Sequence, residues 1–121
     1  MKIAISTEGK TVDSVLDKRF GRCDYFQIHD TESGEVKVIE NEGKTSSGGA
    51  GIAASQQLLD EGVDVIITGN LGPNAFKVIN KASIKAYQCD EISISSVLEK
   101  YKKGELTELK MPGKAHHGLA H

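Results

Sequence analysis

Two cysteines are the residues of this chain with the most distinctive chemistry. Cys23 follows a basic loop near the N-terminus, and Cys89 follows a short apolar run late in the chain. As thiolates, both could bind one soft metal centre if the fold brings them to the same edge of a sheet. Two ordinary thiols that happen to lie near loops explain the same positions, and the spacing does not decide between these interpretations.

Three histidines, His116, His117 and His121, lie within the last six residues. Imidazoles bind borderline metals, and the first and last of these are five residues apart on a polar segment. The alternative is a tail that does nothing, or that takes up nickel or copper adventitiously. At ~3.3 Å per extended residue, the segment is long enough to fold back onto the rest of the protein.

A basic loop and two glycine turns indicate a site for an anion. The loop contains Arg19 and Arg22, and residues 48–51 and 69–73 form turns that each lead into a predicted helix. Pro73 suits a first helical position, where its missing N–H costs nothing. Each helix N-terminus offers unpaired N–H groups and about half a positive charge. These residue types therefore favour binding of an anion.

The elements that position these residues follow from the hydrophobic pattern. Residues 63–67 are an almost unbroken β-branched run, which is typical of a central strand covered on both faces. Further strands are predicted at residues 2–6, 25–30, 35–40 and 84–88. Helices are predicted after Ser46 or Ser47, from Pro73 and after Ser93, with the serines as N-caps.

This order of elements predicts an α/β fold. We expect a ribonuclease H-like three-layer domain with a mixed five-stranded sheet, ordered 3-2-1-4-5, in which strand 2 is antiparallel. Strands 1, 3, 4 and 5 then end at one edge of the sheet, where strand 2 begins. Both cysteines, the basic loop, the two turns and three helix N-termini would share that edge. The domain is expected to span residues 1–106, followed by a flexible His-containing tail at residues 107–121.

The composition of the chain, and its lack of several known catalytic and targeting motifs, argue against several classes of function. The chain has 121 residues and 15 basic against 17 acidic side chains, so general nucleic-acid binding is not expected. The N-terminus begins directly with a predicted strand, which indicates neither a signal peptide nor a membrane helix, and we expect a cytoplasmic protein. The first strand lacks the carboxylate that a ribonuclease H nuclease needs for magnesium. No nucleophile or acid–base arrangement is recognisable, so we expect no enzymatic activity.

Four sequence motifs, taken in order, resemble the dinitrogenase iron-molybdenum cofactor biosynthesis family, which includes NifX, NafY and the C-terminal domain of NifB. The motifs are residues 2–7, 19–26, 48–51 and 69–76. The resemblance implies a ribonuclease H-like domain that binds or carries metal-sulfur clusters without catalysis. Because the CxxxCxxC segment of full-length NifB is absent, cofactor synthesis itself is not implied. The candidate cofactor-binding residues are Arg19, Phe20, Gly21, Arg22, Gly49, Gly69, Asn70, Gly72, Pro73 and Asn74.

Two hypotheses about function follow. The first is a carrier or chaperone for an anionic iron-molybdenum or other metal-sulfur cluster, with Cys23, Cys89, His116, His117 and His121 as candidate metal ligands. Its partners would be cluster-biosynthesis or acceptor proteins, and neither nucleic acid nor a membrane. The second is a metal-free regulatory or scaffold module that binds a partner protein or a small anion.

Overall fold

The computed structural model describes residues 1–113. The strands are β1 (Lys2–Thr7), β2 (Tyr25–Asp30), β3 (Val36–Glu40), β4 (Val65–Thr68), β5 (Lys85–Gln88) and β6 (Thr107–Glu108). The α-helices are α1 (Ala50–Asp60), α2 (Pro73–Lys81) and α3 (Ile94–Lys102), and a short 3₁₀ helix spans Glu42–Thr45. No helix in this part of the chain combines the length and apolar composition needed to cross a membrane.

The strands form one mixed sheet in the order β3-β2-β1-β4-β5-β6. β1, β4 and β5 are parallel neighbours, whereas β2 pairs antiparallel with both β1 and β3. The predicted α/β three-layer architecture, the order of the first five strands and the antiparallel β2 are therefore confirmed. The narrower assignment to the ribonuclease H-like class stays a prediction.

The predicted number of five strands was wrong, because β6 adds a sixth strand next to β5. Thr107 and Glu108 pair antiparallel with Gln88 and Tyr87, and the Leu109 N–H donates to the carbonyl oxygen of Ala86 at 2.8 Å. A strand of two residues is too short to show a period-two pattern, so its sequence carries no strand signal. The sheet thus continues past residue 106, into the segment that was assigned to the tail.

Alternating side chains of the central strands build one hydrophobic cluster on each face of the sheet. Ala4 and Ile66 pack in a cluster with residues of α1 and α2. Ile3 and Ile67, their neighbours in sequence, pack on the opposite face with residues of α3. Because successive side chains of a strand point to opposite faces, β1 and β4 bury apolar groups on both.

The helix starts match the predictions at two of three places. Pro73 is the first residue of α2, and the Ser93 hydroxyl accepts a hydrogen bond from the Ser96 N–H as the N-cap of α3. The expectation that Ser46 or Ser47 caps α1 was wrong. The N-cap is Gly49, which has a φ of 69° and no side chain to accept a hydrogen bond. Ser46 instead ends the 3₁₀ helix, where its N–H donates to the Gly43 carbonyl oxygen.

Candidate anion-binding site

A pocket of about 550 Å³ lies where the N-termini of α1 and α2 meet the basic loop. Three segments line it: residues 18–22, residues 49–52, and residues 70 and 72–75. All three belong to the edge of the sheet at which β1 and β4 end, as the predicted topology requires. A volume of this size is within the usual range for small-molecule sites.

The structure brings nine of the ten candidate cofactor-binding residues to this pocket. They are Arg19, Phe20, Gly21, Arg22, Gly49, Asn70, Gly72, Pro73 and Asn74. Their binding role stays a prediction, but their convergence is a property of the fold.

Gly69 is the candidate that does not line the pocket. It lies against the basic loop, and a Cβ added there would overlap the backbone and Cβ of Lys18. Beside it, Arg19 and Asn70 form an isolated parallel β-bridge. Gly69 therefore has a structural role, since it lets the basic loop pack against the end of β4.

The N-termini of α1 and α2 both open on the pocket without a side-chain cap. Their N-caps are Gly49 and Gly72, and neither has a side chain that could satisfy the first-turn N–H groups. Both helix N-termini therefore present partial positive charge to the same cavity. α3 does not contribute, because its residues pack on the opposite face of the sheet. Of the three helix N-termini expected at this edge, those of α1 and α2 open on the pocket and that of α3 does not line it.

Arg19 is held in place by a buried carboxylate that the sequence analysis missed. Its Nε and Nη2 donate to the two oxygens of Asp17 at 3.1 and 2.9 Å, and its backbone N–H donates to Oδ1 at 2.9 Å. Burial acts to raise the pKa of Asp17, but the hydrogen bonds and charge of Arg19 outweigh burial and lower the pKa overall. The hydrogen bond with Asp17 in turn raises the pKa of Arg19. Arg19 is therefore a fixed cation whose Nη1 is left outside the pair.

The Asp17 backbone is tied to the ends of the central strands. The Ser6 hydroxyl donates to the Asp17 carbonyl oxygen at 2.6 Å and lies 2.7 Å from the Thr68 hydroxyl. The Asp17 N–H donates to the Ser6 carbonyl oxygen at 2.9 Å. These contacts fix the backbone of Asp17 relative to the ends of β1 and β4, and Asp17 in turn holds Arg19. The one signal in the sequence is an aspartate two residues before an arginine, a spacing too common to indicate a pair by itself.

Arg22 connects the pocket to the 3₁₀ helix. Its Nη1 donates to the carbonyl oxygens of Lys44 and Ser46 at 3.0 and 2.8 Å. Cations at the C-terminal end of a helix bind the carbonyl groups left unpaired there. Arg22 therefore orders the chain that leads into α1 and also adds positive charge at the pocket.

Glycines allow the three lining segments to approach closely. A Cβ on Gly21 would lie 2.9 Å from the backbone nitrogen of Gly51, and a Cβ on Gly51 would lie 3.1 Å from the Cβ of Ala75. The loop, α1 and α2 therefore meet with almost no space between them. Both helix N-termini are brought to one cavity by this close packing.

The fold does not bring the two cysteines together. Cys23 belongs to the cluster that faces α1 and α2, whereas Cys89 belongs to the cluster that faces α3, and neither lines the pocket. Burial raises the pKa of Cys23 to about 12, and it also raises the pKa of Cys89. The Cys23 Sγ lies 3.4 and 3.3 Å from the carbonyl oxygens of Phe20 and Tyr25, and its single hydrogen can be donated to either one. Both residues contribute packing here, and metal ligation by them stays a prediction.

The remaining candidate metal ligands, His116, His117 and His121, lie outside the described residues. Within residues 1–113, no three His, Cys, Asp or Glu side chains come close enough together to hold a metal ion.

Comparison with known proteins identifies the family. Residues 1–104 match the family described as dinitrogenase iron-molybdenum cofactor. This chain belongs to that family. The resemblance seen in the four sequence motifs is thereby confirmed, and the family is one of iron-molybdenum cofactor binding and biosynthesis, related to nitrogen fixation.

Relatives of this dinitrogenase iron-molybdenum cofactor family member cover nearly the whole chain. The apo form of the orange protein from Desulfovibrio gigas is 33% identical, with a TM-score of 0.88 over 93% of this chain and 96% of that one. A Thermotoga protein provisionally described as a NifB protein is 33% identical, with a TM-score of 0.83 over 95% and 98% of the two chains. An uncharacterized protein of Methanocaldococcus jannaschii is 32% identical over 88% of this chain and 89% of its own length.

Proposed function

We propose that this protein binds an anionic metal-sulfur cluster, such as the iron-molybdenum cofactor or a precursor, and acts as its carrier or chaperone. The observation that carries the proposal is the convergence of two uncapped helix N-termini with Arg19 and Arg22 on one pocket. The protein would receive the cluster from biosynthesis proteins and deliver it to acceptor proteins. Both cysteines are free thiols, which suits the reducing cytoplasm.

The chemistry of the lining matches such a cargo. Sulfide ligands at the surface of a cluster carry negative charge and accept hydrogen bonds from backbone N–H groups and guanidinium groups. Arg19 is fixed before binding by Asp17, so little side-chain entropy is lost when an anion arrives. The family membership and the neighbour described as NifB support a cofactor-related cargo.

The same lining supports binding rather than catalysis. Among the described residues that line the pocket there is no carboxylate, imidazole, thiol or hydroxyl side chain. Acid–base and nucleophilic catalysis by enzymes mostly depends on these groups. We therefore include no enzymatic step in the proposed function.

Anaerobic titration with tetrathiomolybdate, a sulfide-ligated molybdenum anion, tests the proposal. We expect wild-type protein to bind it, and Arg19→Gln to bind about tenfold more weakly, which corresponds to about 1.4 kcal/mol. Lys103→Gln is the matched control, because Lys103 lies at the end of α3, does not line the pocket and pairs with Glu99 on the surface. Absence of binding by wild type, or equal affinities of the two variants, would count against the proposal.

The second candidate is a metal-free regulatory or scaffold module that binds a small oxyanion or a partner protein. It is favoured by the absence of metal-ligating side chains in the described lining, because N–H and guanidinium donors also bind oxyanions well. Competition between inorganic phosphate and tetrathiomolybdate separates the two candidates. Tighter binding of phosphate would favour the module, whereas tighter binding of the thiomolybdate would favour the cluster carrier.

A further inference from the structure

The described part of the chain ends beside the pocket, against the turn that leads into α2. After β6, the Leu109 N–H donates to the carbonyl oxygen of Ala86, and the Leu109 side chain packs against the cluster below α1 and α2. The Gly113 N–H donates to the carbonyl oxygen of Leu71 at 2.7 Å. Leu71 is buried and follows Asn70, which lines the pocket. The segment from Leu109 to Gly113 is therefore fixed to the domain at both of its ends.

Gly113 lies directly against the side chain of Asn70. A Cβ added at Gly113 would overlap Oδ1 of Asn70, and it would lie 2.8 Å from the Asn70 Cγ and 3.1 Å from the carbonyl oxygen of Leu71. The largest of these overlaps is with the end of an exposed side chain, which can rotate away at little cost. A side chain at position 113 would therefore turn the Asn70 amide and leave the fold of the domain intact.

The basic loop holds Asn70 from another side. The backbones of Arg19 and Asn70 form a parallel β-bridge, and the Arg19 guanidinium is fixed by Asp17. The backbone of Asn70 is therefore set by the loop, whereas the space left for its amide is set by Gly113. This arrangement places a neutral group with two N–H donors beside the guanidinium and the N-terminus of α2.

We propose that Gly113 is a positioning residue for the anion pocket, which keeps the oxygen of the Asn70 amide toward the chain end so that Nδ2 donates to the bound anion. This inference rests on the proposed function for the nature of the anion. Asn70 contacts the anion, and Gly113 acts only through Asn70. Glycine is required at position 113 because the amide oxygen occupies the space that a Cβ would need. A hydrogen bond to a charged group is stronger than one between neutral groups, so its loss is measurable.

Anaerobic titration of a double-mutant cycle with tetrathiomolybdate tests the inference. We expect Gly113→Ala and Asn70→Ala each to bind about fivefold more weakly than wild type. The double variant should bind no more weakly than Asn70→Ala, because no amide remains to be displaced. Met111→Ala is the control, since it changes the same segment at a side chain that is 72% exposed, and it should bind like wild type.

Two results of this cycle would overturn the inference. One is binding by Gly113→Ala that equals wild type, and the other is a double variant in which the two losses add up in full. Urea unfolding of the same proteins separates positioning from loss of structure. Gly113→Ala should unfold at the urea concentration of wild type, and a markedly lower midpoint would show that Gly113 supports the fold in general, contrary to the inference.

NMR of the ligand-free protein distinguishes failure of this inference from failure of the proposed function. The side-chain amide signals of Asn70 should shift in Gly113→Ala and keep their wild-type positions in Met111→Ala. Unchanged Asn70 signals in Gly113→Ala would overturn the inference at any anion affinity. If these signals shift but wild type binds no tetrathiomolybdate, the proposed function fails, and the control of the Asn70 amide by Gly113 stands.

Discussion

At the scale of single residues, Arg19 forms an ion pair with Asp17 at the edge of the pocket. Asp17 is buried and holds two nitrogens of the guanidinium, while the Arg19 side chain remains 54% exposed toward the pocket. Part of the arginine charge is balanced by Asp17, so Arg19 adds less net positive charge to the pocket than an unpaired arginine would. The pair therefore contributes chiefly geometry and a permanent donor. An exposed lysine at this position would lack both the planar fork and the fixed orientation.

Thiol reactivity provides a test at this scale. Cys23 and Cys89 are almost completely buried, and burial raises the pKa of both, so neither forms a thiolate readily at neutral pH. We expect a thiol reagent such as Ellman's reagent to leave both unmodified in native protein and to modify both in denaturant. Rapid modification of Cys23 in the native state would show that the thiol is accessible, as a metal ligand must be.

His29 predicts how stability depends on pH. Its pKa is lowered by burial, so the unfolded chain binds the proton more readily than the folded one. The contribution of neutral His29 to the free energy of unfolding should therefore be complete above the unfolded pKa of about 6.5. It should decrease as the pH falls below that value. Gln27 donates to the carbonyl oxygens of Gly9 and Thr11, which leaves its Oε1 to accept from neutral His29.

Urea unfolding of wild type and His29→Gln at about pH 7.5 and about pH 5 measures this effect. The variant has a side chain that stays neutral and should show a smaller loss of stability at the lower pH. Equal pH dependence of the two proteins would contradict the assignment to His29. Asp17, whose pKa is lowered, adds stability that is lost only in a more acidic window, below about pH 4.

At the scale of elements, the pocket depends on how closely the basic loop approaches α1. Arg22 holds the 3₁₀ helix, and Asn41 caps that helix by accepting from the Gly43 N–H at 2.9 Å. The Asn41 amide also donates to the carbonyl oxygens of Gly21 and Cys23. The loop and the approach to α1 therefore form one hydrogen-bonded unit, whose contact with the first turn of α1 requires glycine.

Substitution of Gly21 tests this contact. The Cβ of Gly21→Ala would lie 2.9 Å from the backbone nitrogen of Gly51, and backbone atoms cannot move aside as a flexible side chain can. We expect a loss of about 1–3 kcal/mol in the free energy of unfolding, as for overpacked sites, together with weaker binding of tetrathiomolybdate. Gly48→Ala is the control, because a Cβ there meets no atom within 4 Å. It should change stability by at most about 0.5 kcal/mol.

At the scale of the whole molecule, positive charge and the chain segment after β6 both lie at one edge of the sheet. The chain has a formal net charge of −2, yet the pocket collects Lys18, Arg19, Arg22 and two helix N-termini. A local positive field in a slightly acidic protein favours binding of a small anion, as the proposed function requires. The segment after β6 returns to the same edge, so the end of the domain is also part of this arrangement.

Two truncated chains test how far the folded domain extends. A chain ending at Gly113 should keep the full free energy of unfolding. A chain ending at Leu106 loses β6 and the part-buried Leu109, and we expect it to be less stable by about 1–2 kcal/mol. Thermal or urea unfolding of the two chains provides the measurement. Equal stabilities would place the end of the domain at residue 106, as the sequence alone predicted.

The sequence by itself determined the family, the order of the first five strands and the start of α2 at Pro73. Strong local signals carry these features: alternating or continuous apolar runs, a proline at a helix start and motifs in a fixed order. It also named nine of the fourteen residues that line the pocket, most of them through the resemblance to the family, while the glycine turns and arginines next to predicted helix starts indicated anion binding.

Only the tertiary structure decided the face of the sheet on which each cysteine lies, the uncapped start of α1, the pairing of Asp17 with Arg19, and β6. Cys23 and Cys89 adjoin strands, but loops set their direction, and loops carry no periodic signal. A serine near a helix start predicts an N-cap, but Ser46 is the C-cap of the 3₁₀ helix and does not cap α1. A strand of two residues exists only because β5 offers it a partner. Each of these features depends on contacts between residues distant in the chain, which local patterns do not encode.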